Sequence, residues 1–130
     1  MTWHPAPRLG PIIVAVLVAT SILACSSTNA SPTPLPSLPA GSVLIAAKNT
    51  AYATSDIVVP ARAAWTLAFD NQDNLPHNVV IHDPSGQTVF ASDVFTGPAL
   101  RTQAAPSLEP GSYTFLCAVH PDMKGTLTAR

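Results

Sequence analysis

From residue 41 to the C-terminus, apolar residues come in short runs broken by proline, glycine, asparagine and aspartate, and no window carries a helical period. A chain cut this way builds its core from short strands. Ser42 to Ala47 is one aliphatic run, and Ile57-Val58-Val59, stopped by Pro60, is another. Trp65-Thr66-Leu67-Ala68-Phe69 alternates, so Trp65, Leu67 and Phe69 share one face, because successive side chains of a strand point to opposite sides. Asn78 to His82 and Gln87 to Phe90 flank Asp83-Pro84-Ser85-Gly86. Proline second and glycine fourth suit a type I turn, so this pair reads as a hairpin. Pro110-Gly111 turns the chain into Ser112 to Cys117, and Gly125 to Ala129 forms a last short strand. Asp93 to Pro106 has no such pattern and is expected to be loop, with room for a short helix. The expectation is an all-β domain over residues 41–130, a sandwich or a barrel.

The first 40 residues are of another kind. They hold 7 of the 14 prolines and one charged residue, Arg8. Ile12 to Ala24 is an apolar stretch interrupted by Thr20 and Ser21, the length of a signal-peptide core and too short to span a bilayer. It ends Ile22-Leu23-Ala24-Cys25, which resembles a bacterial lipobox: an aliphatic residue three before the cysteine and a small residue directly before it. The resemblance implies a signal peptide over residues 1–24, cleavage before Cys25, and lipid on Cys25 that attaches the protein to the cell membrane. Two rivals stand beside it, cleavage after Thr28-Asn29-Ala30 with release of the protein, and an uncleaved anchor. All three place the domain outside the cytoplasm. Residues 25–40 are rich in serine, threonine and proline and read as a disordered tether. Prolines 32, 34, 36 and 39 favour an extended polyproline form; at ~3.1 Å per residue it would reach on the order of 45 Å.

Charge narrows the function. The whole chain carries a net charge of -1, and residues 41–130 hold 5 basic and 7 acidic side chains. That balance excludes a nucleic-acid binder that works by bulk positive charge, and equally a polybasic membrane binder. A monomer with no nucleic-acid partner is expected.

Chemistry concentrates at two places. Cys117-Ala118-Val119-His120-Pro121-Asp122-Met123 puts a thiol, an imidazole and a thioether in one loop, spaced Cys-x2-His-x2-Met. Upstream, Pro76-His77-Asn78-Val79 supplies a second imidazole. Parity turns Tyr113, Phe115 and Cys117 to one face, and His77 to the face of Val79 and Ile81 if its strand extends that far back. His82 has the opposite parity and reads as a surface residue. Thiolate, two imidazoles and a weak thioether are the donors of a blue-copper site. Cu(II) favours nitrogen and oxygen in tetragonal array, whereas Cu(I) favours soft sulfur and lower coordination; a mixed set held on packed strands serves both with little movement.

On these residues the chain resembles the cupredoxin family, of the plastocyanin, pseudoazurin and amicyanin kind. The resemblance covers about residues 43 to 129 and includes Ile57-Val58-Val59-Pro60-Ala61, Phe69-Asp70-Asn71, His77 to Ile81, Pro110-Gly111-Ser112-Tyr113 and Cys117 to Leu127. The short ligand loop looks most like that of amicyanin. It implies a Greek-key β-sandwich of about seven to eight strands holding one type 1 copper. His77, Cys117 and His120 would be the near-planar ligands and Met123 the long axial one. In the family the asparagine at the place of Asn78 bonds the sulfur through its backbone N–H and ties the two ligand loops through its side chain. His120 would be the ligand nearest the surface, inside an apolar collar with Pro76 and Pro121 where redox partners dock transiently. Arg62 departs from the family, many of whose members have glycine there; the effect is expected on a turn, away from the site. One-electron transfer is the function this implies, with copper carriage or storage as the alternative. An enzyme is not expected: no Ser-His-Asp set, paired carboxylates or second metal set is visible, and four protein donors leave no open position for a substrate.

Overall fold

A computed structural model of the protein describes residues 1–3 and 37–130. The expected signal peptide and Cys25, with most of the expected tether, lie outside the described residues. All described elements belong to the unit Leu35–Arg130. They are eleven β segments: β1 Ser42–Lys48, β2 Ala51–Tyr52, β3 Asp56–Val59, β4 Trp65–Asn71, β5 Pro76–His77, β6 Val80–His82, β7 Thr88–Ala91, β8 Phe95–Thr96, β9 Ala99–Ala105, β10 Gly111–Leu116 and β11 Lys124–Ala129.

One sheet runs β2-β1-β4-β9 and the other β3-β11-β10-β6-β7. A two-stranded piece, β5-β8, stands apart from both. β1 lies parallel to β4 and β3 parallel to β11, while the other pairings are antiparallel. The non-consecutive neighbours are the crossovers of a Greek-key sandwich, the fold class expected from the sequence and its resemblance. Alternation sends Ile45 and Ala47 of β1 and Trp65, Leu67 and Phe69 of β4 inward from one sheet. Ile57, Val59, Ile81, Phe115, Leu127 and Ala129 meet them from the other. Tyr52 and Phe115 close the gap between the sheets, with ring centroids 5.0 Å apart. Opposite Phe115 on β11 stands Gly125, where any Cβ would run into the Phe115 ring and the Ser55 carbonyl.

The stretch expected to be loop is where the structure differs most. Residues 99–105 form a seven-residue strand along the whole of β4, from Asn71↔Ala99 to Trp65↔Ala105. It is the outer strand of its sheet, and among its residues Ala105 alone is buried. Little apolar alternation was therefore required of it, and none is visible in the sequence. The Asp83-Pro84-Ser85-Gly86 turn forms as expected, closed by Gly86 N–H to the Asp83 carbonyl at 2.9 Å. The Ser85 hydroxyl and the Gln87 and Ser85 N–H groups converge on its carboxylate and hold the Asp83 carboxyl below its ordinary value. Arg62 adopts φ 57°, the left-handed conformation that glycine takes most easily, and its N–H bonds the Leu108 carbonyl at 2.8 Å. The departure at this position is thus a turn effect.

A two-residue turn, Asn49-Thr50, joins β1 to β2, with φ 54° and 56°. Two successive left-handed residues are the geometry of a type I′ hairpin, which prefers Asn-Gly. Threonine, being β-branched, is strained there. Thr50→Gly is therefore expected to raise the unfolding free energy by about 1 kcal/mol, strain relief exceeding the extra chain entropy. Urea titration of the two proteins checks this, and equal midpoints would remove the strain argument.

Candidate metal centre

His77, Cys117 and His120 converge although 40 residues separate the first two. His77 Nδ1 lies 3.8 Å from Cys117 Sγ, His120 Nδ1 lies 3.9 Å from the same sulfur, and the two nitrogens are 3.1 Å apart. They are the one group of three or more histidine, cysteine or acidic side chains, among the described residues, able to hold a metal. Three donors around one ion, with nitrogen at ~2.0 Å and thiolate sulfur at ~2.3 Å, are separated by about 3–4 Å. The triangle therefore fits a metal at its centre, and its thiol and two imidazoles are the donor types that suit copper.

Each side chain arrives by a different route. Cys117 comes directly after β10 and is fully buried, in line with Phe115 two residues before. Its loop closes on itself: Met123 N–H bonds the His120 carbonyl at 2.9 Å, and Cys117 N–H bonds the Met123 carbonyl at 3.0 Å. That closure buries Met123, 2% exposed, beneath the loop and leaves His120 half-buried at its outer side. Val119 and Pro121 are exposed on either side of His120 in the loop, with Thr50 and Asp122 lining the same surface, while Leu75 and Pro76, exposed and half-buried, precede His77 in the chain.

His77 is buried for another reason than strand parity. The strand expected from 78 to 82 does not reach back to it; the chain pairs first with β8, through His77↔Phe95, and joins β6 after an interruption at Asn78-Val79. Asn78, Val79, Val80 and Ile81 are all buried, so no alternation exists across the junction. Ser92 fills the interruption, its hydroxyl accepting from Val79 N–H and its own N–H donating to the Val79 carbonyl, both at 2.9 Å. Asn78 Oδ1 accepts the Ala118 N–H at 2.9 Å and so links the two donor loops. An N–H bond from Asn78 to the sulfur is not among the hydrogen bonds of the described residues. His82 is half-buried on β6, paired with Thr114 and Thr88, apart from the triangle.

Three groups around the triangle carry no signal in the residue pattern. The Asp73 carboxylate accepts Asn49 N–H at 2.7 Å, Thr50 N–H at 2.9 Å and His77 Nε2–H at 3.0 Å. The Thr50 and Asn49 bonds, and then the His77 ring, hold its carboxyl below the ordinary value. Asn71, fully buried, donates to the Leu75 and Phe95 carbonyls and accepts Asp73 N–H, which shapes the loop leading to His77. The Tyr52 hydroxyl donates to the Asn78 carbonyl at 2.6 Å. Burial, and after it the nearby Cys117 sulfur, push this phenol far above its ordinary value, so it remains a donor. Asp73 sits four residues before His77, a spacing that means something only after the loop is seen to curl back.

A family model described as a cupredoxin-like domain matches residues 13–129. The chain is 35% identical over 115 residues to amicyanin-alpha of Methylorubrum extorquens, which covers 86% of this chain and 88% of that relative. It is 26% identical over 125 residues to amicyanin of Paracoccus versutus, over 92% of this chain and 90% of the other. Among solved structures, dithionite-reduced auracyanin from the photosynthetic bacterium Roseiflexus castenholzii superposes with a TM-score of 0.59 at 23% identity, covering 69% of this chain and 97% of that one. The crystal structure of amicyanin from P. versutus superposes with a TM-score of 0.56 at 24% identity, over 72% and 85%. At these identities the structural likeness speaks for the fold.

Proposed function

Because the chain belongs to the cupredoxin family, we propose that it is an extracytoplasmic one-electron carrier holding one type 1 copper on His77, Cys117, His120 and Met123. The observation that carries this reading is the triangle of two imidazole nitrogens and one thiol sulfur, with edges of 3.1 to 3.9 Å and His77 and Cys117 fully buried. When bound, copper supplies the Cu(II)/Cu(I) couple. The protein supplies a site that need not rearrange: His77 and Cys117 are fully buried on packed backbone, and Asn78 Oδ1 locks their loops together. The thiolate and two imidazoles, with the buried Met123 thioether as a weak fourth donor, would hold the ion and suit both oxidation states. His120 reaches the surface between the exposed Val119 and Pro121, where Asp122 is the one charged neighbour, and is the route by which electrons enter and leave. A rim with few charges favours brief encounters with redox partner proteins, as a shuttle needs.

The test is the spectrum of the copper-loaded protein. An intense visible band from the copper–thiolate bond, with reversible reduction, supports the carrier. A pale protein that takes up Cu(I) and gives no such band favours the alternative, copper carriage or storage. Met123→Leu is expected to retain copper and raise the reduction potential, since losing the fourth donor lowers the coordination number and so favours Cu(I). A variant with unchanged potential and spectrum would remove Met123 from the ligand set.

The place of action rests on the first 40 residues. Lipid on Cys25 would hold the domain at the outer face of a bacterial cell membrane, with residues 26–40 as the tether. Cys25→Ser is expected to free the protein from the membrane fraction with its visible spectrum intact. Continued attachment would point to an uncleaved helix instead.

A further inference from the structure

We infer that the tip of the β1–β2 hairpin positions the metal centre, acting through Asp73 on His77. This rests on the copper reading of the site. Asn49 and Thr50 both hold left-handed conformations, and the consequence is that their N–H groups aim at one place. That place is the Asp73 carboxylate: Asn49 N–H reaches Oδ1 at 2.7 Å and Thr50 N–H reaches Oδ2 at 2.9 Å. The same Oδ2 accepts His77 Nε2–H at 3.0 Å. Both carboxylate oxygens are thus engaged by backbone, and the side chain, 12% exposed, cannot turn without giving up one of those bonds. Its own backbone is pinned by Asn71. The ring of His77 is then held at its far nitrogen, which presents Nδ1 to Cys117 Sγ and His120 Nδ1.

A second tie comes from the same hairpin. The Tyr52 hydroxyl bonds the Asn78 carbonyl at 2.6 Å, one residue beyond His77. The Gln72 N–H bonds the Ala47 carbonyl at 2.9 Å, one residue before Asp73. The hairpin therefore grips the loop 72–78 on both sides of the histidine. A turn of another type would send the Asn49 and Thr50 N–H groups apart. A histidine that donates to a carboxylate through one nitrogen is a stronger donor at the other. Asp73 accordingly favours Cu(II) and lowers the reduction potential, and the hairpin tip sets how well it does so.

The experiment compares the unaltered protein with Asp73→Asn, Asp73→Ala and a one-glycine insertion between Asn49 and Thr50. Voltammetry of the copper-loaded proteins reads the potential, and proton–nitrogen NMR of the diamagnetic Cu(I) forms reads the His77 Nε2–H. The unaltered protein is expected to show a slowly exchanging His77 Nε2–H. Asp73→Asn should keep that proton, weaken its hydrogen bond and raise the potential. Asp73→Ala and the insertion should lose the slow exchange, and their copper affinity should fall on the order of 10–100-fold. An insertion variant with the unaltered potential and a still-protected proton would overturn the hairpin's role. An Asp73→Asn protein with unchanged potential would overturn that of Asp73. If the unaltered protein shows no copper–thiolate band, the copper reading itself fails. The Nε2–H of the metal-free protein then decides the structural tie alone: protection supports it and fast exchange overturns it.

Discussion

Cys117→Ser is expected to abolish the intense visible absorption of the copper-loaded protein while the sandwich still folds. The sulfur is the one thiol in the triangle, 3.8 and 3.9 Å from the two imidazole nitrogens, and it is fully buried. Serine nearly matches it in size, so the packing beside Phe115 changes little. It brings a hydroxyl, a hard and weakly acidic oxygen, where the site offers a soft thiolate, and the charge transfer from sulfur to copper has no counterpart. The buried hydroxyl also costs about 1–3 kcal/mol if it finds no partner when copper is absent. Two measurements separate the effects. Circular dichroism should show the β-sandwich retained, and visible absorption after copper addition should show the band gone. A variant that kept the same band would show that another residue carries the chromophore and would overturn the ligand set.

The second large effect is expected at Phe115. Phe115→Ala should lower the unfolding free energy of the metal-free protein by about 3–5 kcal/mol. The ring is fully buried, packs tilted against Tyr52 of the opposite sheet with centroids 5.0 Å apart, and covers the backbone of Gly125. Because Gly125 has no side chain, the facing strand has nothing to move into the space. Tyr52 cannot follow the ring without releasing its bond to the Asn78 carbonyl. A domain of this size has a total stability of about 5–15 kcal/mol, so the loss is a large fraction of it. The thermal midpoint should fall by roughly 12–40 °C. Urea unfolding without copper is the suitable assay, since metal binding to the folded state would mask part of the loss. A change below about 1 kcal/mol would mean that the core refills the site, contrary to the glycine argument.

The features legible in the chain were those that depend on a short stretch of it. Trp65, Leu67 and Phe69 alternate and are buried together; Asp83 to Gly86 carries its own turn; Cys117, His120 and Met123 lie in one loop whose geometry is local. β9 was not readable, because an outer strand with one buried side chain needs little apolar alternation; its neighbour β4 decides that it is a strand. The inward placement of His77 was expected from a strand running through Asn78 and Val79, yet it comes from pairing with Phe95 and the break beyond it. Asp73, Asn71 and Tyr52 were not singled out as site residues. Aspartate in a loop is commonplace until its two oxygens are seen to collect N–H groups from residues 23 and 24 positions away.

The sequence by itself determined the all-β character of residues 41–130 and the kinds of donor atoms present. Hydropathy, alternation and side-chain chemistry belong to neighbouring residues, and they survive in any conformation. Tertiary structure alone decided that His77 and Cys117 meet, that Asn78 bridges their loops, and that the hairpin tip holds Asp73 against His77. Those contacts join residues 23 to 43 positions apart. Only the closure of two sheets on a shared core brings such distant donors within the roughly 3 to 4 Å that a single metal ion can span.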